Sequence, residues 1–162
     1  MFIFAENFHL FNVMKQVLLL MALLWTTSGC EHEGKDYKEA ERVATKWANA
    51  FFNFDFEEAS HHVTEESKHW LSFAASNITE ADVDIINSRD MPASVVITDV
   101  VTGNDTLGQA MVSVSNWVCL DSIGQQGRIM SQGDFVISLV KRGRKWKVRM
   151  EGLPRNEKQS RD

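Results

Sequence analysis

The chain has 162 residues, with 17 Lys and Arg against 22 Asp and Glu for a net charge of −5, and only two cysteines. That balance argues against a general nucleic-acid binder, which needs a basic surface, and two cysteines are too few for a disulfide framework. The length suits one domain with one hydrophobic core.

At the N-terminus, Met14-Lys15-Gln16 precedes an apolar stretch from Val17 to Trp25, followed by Thr26-Thr27-Ser28-Gly29-Cys30. A cationic start, an apolar core of about 7–15 residues and a small-residue end are the parts of a secretory signal. The tract is well short of the roughly 20 apolar residues that a spanning helix needs. Small residues ending on a cysteine resemble the bacterial lipoprotein signal, in which a peptidase cuts before the cysteine and lipid joins its sulfur. Thr27 stands where leucine is usual, a relaxed form similar to Bacteroidota-type lipoproteins. The resemblance implies a signal peptide over residues 1–29, a palmitate-type lipid on Cys30, a lipidated tether over 30–36, and attachment to the bacterial cell envelope at the outer membrane. Residues 1–13 are hydrophobic and carry Glu6 where a signal start is basic, so Met14 is the expected initiator.

Beyond the tether, Tyr37, Ala40, Val43, Ala44, Trp47, Phe51 and Phe54 recur at three- and four-residue steps and predict a long amphipathic helix. A short second helix is expected over 56–63. A third, capped by Thr64, is expected from Glu65 to Ser76 with Trp70, Phe73 and Ala74 on its apolar face and Leu71 beside them. Thr79 and Asp82 have capping-box spacing for a fourth through Ile86. From Ala93 the period changes to that of strands: 94–101, 107–120, 133–141 and 144–151, with Gly103-Asn104-Asp105 as a turn and 121–127 as a loop. A two-residue loop at Arg142-Gly143 would set Leu139 opposite Trp146, Ile137 opposite Val148 and Phe135 opposite Met150 on an apolar face, leaving Lys145, Lys147 and Arg149 on the other. Residues 154–162 read as a frayed polar tail.

Charge divides along the same line. Residues 31–92 hold 14 acids and 6 Lys or Arg; residues 93–162 hold 7 acids and 10 Lys or Arg. An acidic helical layer and a basic sheet face follow from that division. Helices first and strands after them predict an α+β domain over 37–153, with N-terminal helices packed on a curved antiparallel sheet.

Three segments together carry a family resemblance: Phe51-Phe52-Asn53-Phe54-Asp55-Phe56-Glu57-Glu58-Ala59, then Val63-Thr64-Glu65-Glu66-Ser67, then Asp134 to Val140 with Gly143, Trp146 and Val148. They resemble the nuclear transport factor 2-like superfamily, in particular its small lumazine-binding-like lipoproteins, with a departure at Phe54 where glycine is frequent. The resemblance covers about residues 37–151. It implies a cone-shaped fold, of cystatin-like outline, with a pocket between helix and sheet. It names no single chemistry, because this fold hosts isomerases, dehydratases and non-enzymatic binders.

Candidate sites follow. Trp47, Phe51, Trp117 and Trp146 could line such a pocket, though aromatic residues more often fill a core. Asp99 and Asp134 are the strand acids that an isomerase or dehydratase of this fold would use as a base, since an apolar pocket raises a carboxyl pKa; rim positions are the ordinary alternative. His61, His62, His69, Glu65 and Glu66 are the densest ligand-type group, but Thr64 interrupts the helix that would align His62, Glu66 and His69, so a solvated acidic surface is expected rather than a metal site. Lys145, Lys147 and Arg149 form a cationic stripe suited to an acidic partner or lipid headgroups. Cys119, in an apolar run, is expected to be buried and inert. No motif calls for a cofactor or catalytic set. The expected function is therefore a membrane-anchored, non-catalytic binding or accessory module for a small ligand or envelope protein, acting as a monomer or weak homodimer. A carboxylate-based isomerase or dehydratase is the alternative.

Overall fold

A computed structural model describes residues 30–104, 106–120 and 126–157. The expected signal over residues 1–29 and the sulfur of Cys30 lie outside the described residues. Elements in chain order are α1 (Cys30–Phe52), α2 (Phe56–Ser60), a 3₁₀ turn (Glu65–Ser67), α3 (Lys68–Ser76), α4 (Glu80–Ser88), β1 (Ser94–Asn104), β2 (Leu107–Cys119), β3 (Arg128–Arg142) and β4 (Lys145–Arg149). The segment read as a tether is helical, since α1 opens at Cys30; the compact unit begins at Tyr37.

The expected α+β order is present, and the four strands form one antiparallel meander, β1-β2-β3-β4. The buried stripe of α1 runs through Ala40, Val43, Ala44, Trp47, Ala48 and Phe52. It is rotated from the expected one: Tyr37 is exposed, Phe51 is half-buried and Phe54 lies past the helix end. Alanines on this stripe let the helix approach closely, and Phe52 closes against Phe135 (4.7 Å between ring centroids) and Trp117 (6.1 Å). Helices and sheet therefore share one core.

α1 stops in a Schellman arrangement. The Phe54 N–H donates to Phe51 O (3.1 Å) and the Asp55 N–H to Ala50 O (2.9 Å). Phe54 takes φ +65°, the left-handed region in which a Cβ costs about 1–2 kcal/mol. Asp55 then caps α2 by accepting from the Glu58 N–H at 3.0 Å. Asn53 fastens the same corner to β1: its amide donates to Ala93 O (3.1 Å) and its Oδ1 accepts from the Ala93 N–H (2.8 Å).

Thr64 does not cap α3 with its side chain. Its Oγ1 pairs with Ser67 Oγ at 2.8 Å, and Ser67 Oγ accepts from the Met150 N–H at 2.8 Å, so both hydroxyls serve the helix-to-sheet joint and the helix starts as a 3₁₀ turn. Ser67 at the end of the 3₁₀ turn and Leu71 and Ala74 of α3 face inward; Phe73, expected inside, is exposed. Before the 3₁₀ turn, His62 O accepts from the Val148 N–H (2.8 Å) and the Thr64 N–H donates to Val148 O (3.0 Å). This short parallel bridge covers the outer edge of β4, where unpaired backbone groups would invite pairing with another chain.

The final hairpin differs from the expected register by two residues. Leu139 pairs with Val148, Lys141 with Trp146 and Arg142 with Lys145. The loop is Gly143-Arg144, with φ +64° at Gly143. Positive φ at the first central position only is the II′ pattern, which matches the twist of the flanking strands and suits glycine. A shift of two preserves every facing, because side chains alternate with period two. Phe135, Ile137, Leu139, Trp146, Val148 and Met150 are all buried, as the pattern required. On the opposite face Val140 is buried as well, so that face is not simply cationic.

Candidate functional site

Between helix and sheet, where a ligand pocket was expected, the space is packed. Trp47 and Trp146 are 1% and 2% exposed, and Trp117 is buried toward the other end of the same core. Phe51 stacks on Trp47 at 4.9 Å and continues into Phe52 and Phe56. Trp117 meets Phe135 edge-on at 5.1 Å. The indole N–H groups of Trp47, Trp117 and Trp146 are buried without an acceptor. Each such group costs about 1–3 kcal/mol in lost hydration, which is tolerated here because each indole buries a large apolar area.

Gly133 belongs to this packing. A Cβ at Gly133 would lie 2.8 Å from Trp117 Nε1 and 2.9 Å from Phe135 Cε2, inside contact distance of two rigid rings. The strand can pass under the indole only as glycine.

The two candidate acids are not in that interior. Asp99 is exposed on edge strand β1, beside an irregularity between Ile97 and Asp99, and its Oδ1 accepts from the Val100 N–H at 2.8 Å. Asp134 lies on the outer sheet face opposite Ser113, whose hydroxyl donates to its Oδ1 at 3.0 Å. Its backbone receives the tail: the Asp134 N–H donates to Asn156 Oδ1 (3.3 Å) and the Glu157 N–H to Asp134 O (2.9 Å). Asn156 is buried, so the segment expected to fray is docked as far as Glu157. The set of Trp47, Phe51, Asp99, Trp117, Asp134 and Trp146 is thus not one site; it divides into an aromatic core and two acids outside it.

Two of the depressions on the surface of the described residues lie near the last hairpin. One, of about 340 Å³, lies over the ends of β1, β2 and β3, among Val101, Leu107, Gln109, Ser138, Arg149 and Glu151. The other, of about 230 Å³, lies where β4 gives way to the tail, between Trp47, Ile137, Met150 and Arg155. Asp99, Asp134, Trp117 and Trp146 line neither.

The basic stripe is partly engaged. Lys147 Nζ donates to His61 O, and Arg149 pairs with Glu151 at 2.8 Å. Lys145 is exposed, as are Arg142 and Arg144 beside it. Glu66 is held below the usual carboxylate range, first by its own backbone N–H and the Thr64 hydroxyl, then by the positive field of Arg142 and Arg149. The histidines do not converge: His62 faces Glu58 at 3.0 Å, and His69 Nδ1 lies 2.7 Å from Glu66 O. Cys119 is buried.

One interior carboxylate was legible only in part. Asp82 is 1% exposed. Its capping box with Thr79 was readable from spacing; its second contact was not. Asp82 Oδ2 accepts from the Thr79 N–H (2.9 Å) and hydroxyl (2.7 Å), while Oδ1 accepts from the Gly127 N–H at 2.7 Å, 45 residues on. The Thr79 N–H, then the Thr79 hydroxyl, then the Gly127 N–H hold this carboxylate below its ordinary pKa. Both oxygens are engaged by backbone and cap, and the residue is buried, so it clamps α4 to the start of β3.

No protein-family model matches the chain, and no curated protein matches its sequence. The geometry therefore stands alone: a helix-on-sheet domain with a solid aromatic centre, surface acids, and cations gathered around its last hairpin.

Proposed function

We propose that this chain is a lipid-anchored protein of the bacterial cell envelope, tethered through Cys30 at the outer membrane. Its nuclear transport factor 2-like domain acts as a non-catalytic binding or accessory module, as a monomer or weak homodimer. The anchor rests on the order cationic start, apolar core, small residues and cysteine over 14–30. Helices packed on a four-stranded antiparallel meander suit the superfamily named above without distinguishing it from other helix-on-sheet folds.

The observation that carries the non-catalytic reading is the filled interface. Trp47, Trp117 and Trp146 occupy the space in which a pocket enzyme would hold its substrate, and Asp99 and Asp134 lie outside that space. A carboxylate base needs an apolar, water-poor surrounding to raise its pKa toward neutrality. Asp99 is exposed, and Asp134 accepts the Ser113 hydroxyl on the outer face.

Two measurements test the reading. Intact-mass analysis of protein extracted from membranes should show a diacylglycerol-type adduct on Cys30 as the first residue, and Cys30→Ser should release the protein from the membrane fraction; an unmodified residue 30 refutes the anchor. Tryptophan fluorescence should stay constant on titration with small cyclic and steroid-like ligands. A saturable change in emission would mean that the core opens, and would restore the isomerase or dehydratase alternative.

A further inference from the structure

The cations of the last hairpin and the start of the compact unit lie at one end of the sheet. In the meander the β1–β2 and β3–β4 turns fall at the same end, since Leu107 pairs with Val140 and the Lys141 N–H donates to Thr106 O at 2.8 Å. Residues 141–149 hold six Lys or Arg and no acid. Arg142, Arg144 and Lys145 are exposed there, and no ion pair engages them among the described residues. Beside them the outer face presents Leu107 and Val101, 47% and 50% exposed.

Helix α1 runs to that same end. Its C-terminal Phe52 packs on Phe135, and Trp47, further back along the helix, borders the same depression as Ile137, two residues nearer the turns. From Phe52 back to Tyr37 the helix rises about 22 Å at 1.5 Å per residue. From Phe135 to Arg142 the strand rises about 23 Å at 3.3 Å per residue. A helix aligned with β3 would bring Tyr37 level with the cationic turn.

We propose that this turn end is a membrane-docking surface, in which Arg142, Arg144 and Lys145 meet the headgroups of an anionic bilayer while Leu107 and Val101 enter the headgroup boundary. The inference rests on the anchored reading above, which ties Tyr37, where the compact unit begins, to a bilayer through the short segment from Cys30. Charge complementarity and the mixed cationic and aliphatic lining favour a lipid surface over an acidic protein. Lys147 and Arg149, engaged by His61 and Glu151, contribute less; the Glu66 carboxylate, in the field of Arg142, opposes it.

The test uses the full chain reconstituted in vesicles of pure phosphatidylcholine or with about a third phosphatidylglycerol, read by amide exchange over 140–147. Each cation near an anionic surface favours docking about fivefold, so three together shift the docked-to-undocked ratio about a hundredfold. The expected result is slowed exchange on anionic vesicles only, abolished by 0.5 M salt (about a 4 Å screening length) and by R142Q/R144Q/K145Q, a variant of exposed positions whose denaturant midpoint should be unchanged. Equal exchange on both vesicle types, or equal slowing by soluble polyglutamate, overturns the proposal; the latter assigns the surface to an acidic protein. Intact mass at residue 30 on the same sample separates failure of the anchor from failure of the docking surface.

Discussion

Replacing Asp82 with Asn removes one acceptor oxygen from a carboxylate that serves three donors. The Asn side chain is nearly isosteric, so packing is retained while its NH₂ must face either the Gly127 N–H or the Thr79 donors. Gly127 is buried, so its N–H cannot turn to water; leaving a buried donor unpaired costs about 1–3 kcal/mol. If the NH₂ faces Thr79 instead, losing the capping box costs about 1 kcal/mol. The expected loss is therefore about 1–3 kcal/mol at pH 7, read as a lower urea midpoint with unchanged slope. The pH dependence has a definite sign. The Asp82 pKa is lowered on folding, chiefly by the Thr79 N–H, so its ionisation stabilises the fold above the ordinary carboxylate value of about 3.9. That contribution is lost as pH falls through the lower folded-state value. The gap between wild type and Asp82→Asn should therefore be full at pH 7 and narrow below about pH 4. A gap within about 0.5 kcal/mol at pH 7, or one of equal size at pH 3, would refute the assignment of Asp82 as a charged clamp.

Trp146→Ala should cost about 3–5 kcal/mol in denaturant melts, because the indole is almost wholly buried; a shift within about 0.5 kcal/mol would show that it is not in the core. Gly133→Ala should cost about 1–3 kcal/mol by overpacking against Trp117 and change the near-UV circular dichroism of the indole. An unchanged spectrum and midpoint would contradict the close approach. Asn53→Ala deletes both hydrogen bonds to Ala93, one of them to a buried residue's N–H, and should cost about 2–3 kcal/mol with faster amide exchange at Ala93; exchange equal to wild type would show that the corner is held by other contacts.

Sequence pattern was most informative where one face of an element is buried. Period-two alternation placed Phe135, Ile137, Leu139, Trp146, Val148 and Met150 on one side correctly even though the hairpin register was off by two, because that offset leaves every facing intact. The choice between Arg142-Gly143 and Gly143-Arg144 as the loop depended on where glycine supplies positive φ. The helical stripe was recognised but rotated: Tyr37 and Phe54 share its spacing, yet the sheet accepts the alanine-lined side. Capping at Thr79 and Asp82 was readable because three-residue spacing is local chemistry.

The chain alone thus determined the kinds and order of its layers, the apolar side of the closing hairpin and the local cap at α4, since periodicity, glycine chemistry and capping act within a few residues. Tertiary structure decided that Trp47, Trp117 and Trp146 fill the interior, that Asp99 and Asp134 lie outside it, that Asp82 reaches Gly127, and that Asn156 docks the tail on β3. Those outcomes depend on which distant segments become neighbours, and a hydrogen bond across 45 residues leaves no period in the sequence to read.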